Sequence, residues 1–461
     1  MAYTTIDKPS DYFDTIIYTG NGSDPRTLTG VGFQPDWVWT KKRNGATGHR
    51  LVDSVRGVTK ALFTNGTNVE STESNGLTAF ASDGYTLGDN GNYNANSDTY
   101  VSWNWLASGT APSQTYTVKV VSDSGNKYRF DDFGTSAVTL DLQEGGTYTF
   151  DQSDSSNSGH PLRFSTTSDG THGGGSEYTT NVTTTGTPGS AGAKTVITVA
   201  SSAPTLYYYC SVHSGMGGQA NTNTTHGSSN FSGSIQANVS ANTTAGFSAV
   251  SYTGTGSNAT IGHGLGVAPK MIIIKNLGAT QGWCVYHESI GATKFLSLNS
   301  TDAQVTASDR FNDTSPTSSV FSVGTHADTN GSSATYVAYC FAEKKGYSKF
   351  GSYTGNASAD GTFVYTGFKP AFFMVKRTDT TNDWQMHDST RDTFNGVTQR
   401  LRANLSDAEA TTGAFYDFTS TGVKVRNTDF SMNASGGTYI YMAFAESPFV
   451  TAGTKAAGTA R

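Results

Sequence analysis

At 461 residues the chain is long enough for two to four domains with several separate hydrophobic cores. It has 53 glycines and 12% aromatic residues but only 14% charged ones, against about a quarter in an average soluble domain. That balance disfavours long helices and suits pleated sheets, and a net charge of −6 with no Lys/Arg cluster excludes nucleic acid as a partner.

No apolar run approaches the ~18 residues of a membrane span, so no membrane insertion is expected. The opening MAYTTIDKPSDYF lacks the basic-then-apolar order of a signal peptide. The expectation is a soluble chain made in the cytoplasm of its producer. Cys210, Cys284 and Cys340 are too few and too scattered for a disulfide framework.

Taken in chain order, the first element is YTGNGSDPRTLTGVGFQPDWVWTKK from Tyr18, and it returns as YTGTGSNATIGHGLGVAPKMIIIKN from Tyr252 and YTGNASADGTFVYTGFKPAFFMVKR from Tyr353. In each copy a proline (Pro35, Pro269, Pro370) lies 17 residues after the tyrosine, and a lysine (Lys41, Lys275, Lys376) six beyond it. The alignment runs on without gaps, so that His49, Trp283 and Trp384 share one position. Each unit closes on an aromatic-alternating strand, YVSWNWLAS, YVAYCFAEK or YIYMAFAES, with opening and closing tyrosines 82, 84 and 86 residues apart. The proline cannot donate to a ladder and marks the start of a core strand, and Gly-rich turns at short spacing predict a small β-sandwich per unit.

Between the first two units about 130 extra residues intervene, against a period of 101 between the second and third. The extra span has strand patterns of its own, AVTLDLQEGGTYTF and KTVITVASSAPTLYYYC, and reads as an inserted domain. The predicted organisation is repeat 1 over 1–110, the insert over 111–222, a linker or leading strand over 223–246, repeat 2 over 247–346 and repeat 3 over 347–461. NTNTTHGSSN, polar and without period, reads as a flexible loop. Repeats 2 and 3 are joined so tightly that they are expected to pack together.

The insert ends on YYYCSVHSGMGG, which spaces Cys210, His213 and Met216 at intervals of three, and His160 in SGHPLRF lies 50 residues upstream. A thiolate, two imidazoles and a weak thioether form the ligand set of a type 1 copper centre. Here the chain resembles the cupredoxin family. The resemblance implies an eight-stranded Greek-key sandwich, with His160 and His213 as imidazole ligands, Cys210 as the thiolate, Met216 as the long axial ligand and copper as the cofactor. One position departs from the family: an asparagine commonly flanks the first histidine and steadies the thiolate loop, whereas His160 is flanked by Gly159 and Pro161. The Gly-rich 172–193 is also longer and looser than an efficient electron carrier would have. The alternative is that the fold persists without the metal, Cys210 being a buried thiol. Cys284 and Cys340 read as core thiols; Asn104 and Ala443 stand where Cys340 does.

HRLVDSVRG and MHDSTRD bring His, Asp, Ser and Arg together, but repeat 2 has His287 and Ile290 where repeat 1 has Asp53 and Arg56. A loop ordered by local hydrogen bonds and an ion pair is the expected role, not a hydrolytic triad, and no enzymatic activity is expected.

Outside the insert the chain resembles a repeated domain of bacteriophage tail and fibre proteins, seen often in phages of marine bacteria. DYFDTIIYTGNG, GFQPDWVWTKKR, LVDSVRG and YVAYCFAE carry the resemblance. It implies a virion component, tail-associated, that displays β domains for host attachment, with other virion proteins, copies of itself and a host cell-surface glycan or protein as partners. A capsid-surface decoration or tail-tube protein, and a copper-binding redox protein, are the alternatives. The fold expected is all-β: three homologous sandwich repeats and an inserted Greek-key, cupredoxin-like sandwich.

Overall fold

In all three repeats the closing strand lies between the opening strand and the proline-marked strand, antiparallel to both. The computed structural model that gives this topology describes residues 4–451, so the outer limits read for the first and last repeats, at 1 and 461, lie outside the described residues. The opening strands are Phe13–Thr19, Phe247–Thr253 and Ser348–Thr354, and the closing strands Thr99–Trp105, Thr335–Phe341 and Thr438–Pro448. Between them in sequence come Trp37–Lys42, Met271–Asn276 and Phe368–Arg377, each paired on its far side with a fourth strand, Arg50–Asp53, Trp283–His287 or Trp384–Asp388. The register puts Tyr18 opposite Tyr100, Tyr252 opposite Tyr336 and Tyr353 opposite Tyr439. Their rings stack at 5.1, 5.1 and 4.9 Å with planes 13–14° apart. In repeats 1 and 2 the proline precedes its strand as expected; in repeat 3 the strand starts two residues before Pro370, and the ladder shifts register there, as a residue without an N–H requires.

Strand alternation gives each of these sheets two apolar faces. One face packs under the repeat's own outer layer: Val38, Val52 and Tyr85 in repeat 1, Ile272, Ile274 and Phe321 in repeat 2, Phe373, Val375 and Val423 in repeat 3. The other faces of all three sheets meet in a single core containing Trp37, Trp103, Trp105, Met271, Tyr339, Phe341, Phe372, Met442 and Phe444. At its centre the corresponding rings of Trp105, Phe341 and Phe444 form a triangle with sides of 6.5, 6.1 and 5.7 Å. The repeats are two-layered, as expected, but their inner faces form one shared core rather than three separate ones. The reason is chemical: an inner face of indole and phenyl rings cannot be left in water.

Polar groups close the ring of repeats in one direction. Trp283 Nε1 of repeat 2 donates to Phe63 O of repeat 1 (2.9 Å), Trp384 Nε1 of repeat 3 to Ser297 O of repeat 2 (2.9 Å), and His49 Nε2 of repeat 1 to Arg402 O of repeat 3 (2.9 Å). His49 Nδ1 accepts from Trp39 Nε1, which places the ring proton on Nε2. Lys275 and Lys376, both fully buried, bond Thr67 O and Thr301 O of the preceding repeat.

The insert is a two-sheet sandwich of nine strands between Ser113 and Asn223, with its own core. Ser113–Ser122 runs parallel to Thr147–Asp151, and Leu140–Gln143 parallel to Gly218–Asn223, so its strands cross between sheets instead of following a simple meander. Two expectations are corrected here. The insert has nine strands rather than the eight the resemblance implied, Val182–Thr185 within 172–193 being one of them, paired with Lys194–Thr198. NTNTTHGSSN is not a flexible loop: its flanks are strands, and between them the buried His226 meets the buried Asp36 of repeat 1 at 2.5 Å. Composition alone carries no sign of that partner. The following Ala237–Asn242 is the leading strand expected, paired to the opening strand of repeat 2.

Candidate metal centre

Strand register builds the site. Leu206–Cys210 alternates apolar residues into the insert core and pairs antiparallel with Leu162–Ser165, putting Cys210 opposite Leu162. His160, two residues before Leu162, is thereby brought to the thiol. The two loops are tied directly by Ser211 N–H donating to Pro161 O (3.1 Å). The carbonyl of His160 accepts from Gln152 Nε2 (2.9 Å) and Tyr128 OH (2.8 Å). Gln152 Oε1 also accepts from Leu162 N. These bonds steady the loop in place of an asparagine beside His160, and no spacing rule singles out Gln152 or Tyr128 in advance.

The return loop carrying His213 and Met216 is equally held. A Cβ on Gly217 would lie 1.7 Å from Tyr208 O, so only glycine fits that approach. Gly215, at φ +73°, donates to Asp169 Oδ1 (2.9 Å), and Tyr128 N donates to Met216 O (3.0 Å).

Cys210 Sγ lies 3.9 Å from His160 Nδ1 and 3.8 Å from His213 Nδ1. The three ligand atoms all fall within 4.8 Å of one another. An ion bonded at about 2.3 Å to sulfur and about 2.0 Å to nitrogen separates those atoms by roughly 3.5 Å at a tetrahedral angle and roughly 3.7 Å at a trigonal one. Both sulfur–nitrogen distances lie close to the trigonal value, and two imidazoles with a thiol suit a soft or borderline ion such as copper or zinc. Cys210 is buried, His160 half-buried and His213 exposed. Partial burial and the neighbouring His213 hold the His160 imidazole below its usual pKa, which favours the neutral form a metal needs. Burial raises the Tyr128 phenol, with Cys210 adding to the shift, so it stays a donor to His160 O. Met216, the fourth expected ligand, is buried in the insert core alongside Cys210, Tyr128 and Tyr208. A further residue, His172, bonds Cys210 O through Nε2 (3.0 Å) and so anchors the Gly-rich loop to the thiolate strand.

The other cysteines, Cys284 and Cys340, are buried in the repeat 2 core, where burial raises their thiols. The His/Asp/Ser/Arg motifs are local. Asp53 accepts from Arg56 N and Nε, Asp388 likewise from Arg391, and each carboxylate also reaches another repeat, through Tyr339 OH and Trp103 Nε1. Ser54 Oγ and His226 Nδ1 both bond Asp36 Oδ1, so the serine is paired with the carboxylate and not with the imidazole, which is not the order a nucleophilic triad uses.

No helix among the described residues is long and apolar enough to cross a membrane. No curated protein and no solved structure matches the chain. The model of a family described as a domain of unknown function, DUF7483, matches residues 8–129 and 219–448, leaving 130–218 inside the inserted sandwich unmatched. With well over half its length covered, the chain belongs to the DUF7483 family.

Proposed function

We propose that this protein is a structural component of a bacteriophage virion, tail-associated, whose three-repeat body is a rigid mount for outward-facing β surfaces that attach to a host. The observation that carries the reading is the closed ring: three copies of one module joined through a common aromatic core and matched polar bonds give a body with little freedom to bend. The wording of the repeats, which resembles phage tail and fibre proteins, supplies the setting. Gold-labelled antibody against the chain, applied to purified particles, should decorate the tail tip or fibres. Label confined to the capsid would favour a decoration role, and a chain absent from particles by mass spectrometry would end the virion reading.

A second reading concerns the insert and is favoured by the His160–Cys210–His213 geometry. We propose that it binds copper, which those three residues would hold with Met216 as a weak fourth ligand, the metal supplying one-electron redox chemistry when bound. Addition of Cu(II) should produce strong visible absorption that Cys210→Ala abolishes. A colourless protein that takes up copper no better than Cys210→Ala would reject this reading.

A further inference from the structure

The third repeat differs from its siblings in one respect that the shared core does not need. Among the described residues, large exposed aromatic side chains occur only there: Phe363 (45% exposed), Tyr365 (58%), Phe394 (79%), Phe430 and Phe449. Exposed Ile and Val residues, by contrast, all lie outside it. The repeats provide an internal control. In each outer layer one strand faces a buried ring or valine: Leu28 opposite Tyr85, Ile261 opposite Phe321, Val364 opposite Val423. The residues flanking that position are the exposed Thr27 and Thr29 in repeat 1, the half-buried Thr260 and buried Gly262 in repeat 2, and the exposed Phe363 and Tyr365 in repeat 3. Phe394 sits in a loop four residues longer than its counterparts, ten steps from Arg391 to Leu401 against six from Arg56 to Leu62 and from Ile290 to Leu296.

These rings flank one hairpin. Its strands are Ala410–Thr419 and Gly422–Val425. Tyr365 pairs with Gly422 on one side, and on the other Asn395, next to Phe394, exchanges two bonds with Phe418. The charges among them cancel: Asp360 and Asp417 pair with Lys424 and Arg426. Hydroxyls of Thr419, Ser420 and Thr421 line the turn. Exposed rings in a repeat with no large exposed Ile or Val among the described residues, set near hydroxyls and a balanced charge group, match the C–H faces and hydroxyl edges of an uncharged sugar.

We propose that this face, built on Phe363, Tyr365 and Phe394, binds a neutral polysaccharide. The inference deepens the attachment reading and rests on it for its biological setting only. The test is native electrophoresis of the full chain, which carries a net charge of −6, through gels containing agarose galactan, dextran or mannan. At least one polymer should retard the protein. Phe363→Thr with Tyr365→Thr, which restores what repeat 1 carries, combined with Phe394→Ala, should weaken that retardation at least tenfold while leaving the thermal unfolding midpoint in place. Free mobility in all three gels, or retardation untouched by the substitutions, overturns the proposal. So does a concentration-dependent dimer in sedimentation that the same substitutions abolish, since the face would then belong to a second copy. Absence of the chain from particles would strike the virion reading and leave the gel result to judge this one.

Discussion

A single asparagine does the most per residue in this fold. Asn94, Asn330 and Asn433 are fully buried, and each stands six residues before its closing tyrosine. Each Oδ1 accepts the N–H of the opening turn, at Asn21, Thr255 or Asn356. Each Nδ2 donates to two carbonyls, Ser23 and Gly88, Ser257 and Gly324, or Ser358 and Asn427. The closing tyrosine completes the corner, its hydroxyl donating to Gly91, Ala327 or Phe430 O. Truncation would leave two buried carbonyls and an amide without partners, each costing about 1–3 kcal/mol. Asn330→Ala should therefore lower the stability by about 3 kcal/mol or more in urea unfolding, and Asn330→Asp, which keeps the acceptor and loses the donor, should recover only part of it. Loss below ~1 kcal/mol would mean water replaces the amide. The recurrence of these asparagines is plain in the sequence once the tyrosines are aligned, but nothing in a lone Asn between turn residues distinguishes a buried clamp from an exposed turn former.

At the scale of elements, the loop after the fourth strand shows how repeats diverge in sets. Repeat 1 joins a buried Asp53–Arg56 side-chain pair to the half-buried Glu70, and repeat 3 a buried Asp388–Arg391 pair to the half-buried Glu409. The corresponding residues of repeat 2 are His287, Ile290 and Gln304, all uncharged together. Removing one member of a buried ionic set strands the rest, typically at about 3–5 kcal/mol, whereas replacing the whole set can be nearly neutral. Arg56→Ile alone should therefore be strongly destabilising, and the triple change Asp53→His, Arg56→Ile, Glu70→Gln should recover most of the loss, measured by urea midpoints on the three proteins. Equal destabilisation in single and triple variants would refute the coupling. The local Asp–Arg pairing was legible from its spacing; its tie to another repeat through Tyr339 and Trp103 was not, because sequence spacing carries no information about which surface a motif faces. The metal cluster divides in the same way. Cys210, His213 and His160 are legible from residue type and order, while the bonds that aim them are not: Gln152 and Tyr128 reach the His160 carbonyl from other segments of the insert, and the Ser211 bond is a backbone one that any residue but proline could make.

For the whole molecule, the shared core makes stability a property of all three repeats at once, and its pH dependence follows from what lies at the joints. Burial depresses His49 to about 3 and His287 to about 4, and holds His387 well below its usual value. His49 and His287 bond across to repeat 3. An unfolded chain takes up protons on these rings below about 6.5, while the folded one does not, so stability present above that pH is lost as pH falls toward 4. Each proton contributes up to about 1.4 kcal/mol per pH unit. Asp14, raised to about 6 by burial, works the opposite way between about 4 and 6 and offsets one of the three. On the alkaline side, burial lowers Lys41, Lys275 and Lys376 to about 8. Between 8 and about 10.4 the unfolded chain then binds more protons than the folded one, and stability rises with pH. From about 8.5 the buried Cys284 and Cys340 thiols and above about 10 the buried Tyr18, Tyr252 and Tyr353 phenols, all raised by burial, oppose and then reverse the trend, since only the unfolded chain ionises them. Urea midpoints from pH 4 to 11 should therefore climb from the acid side and peak near pH 9–10, later than the about 5–8 of most proteins. A peak below pH 7 would mean that the lysines at the joints are not held neutral-leaning by the ring, and that it is looser than its hydrogen bonds require.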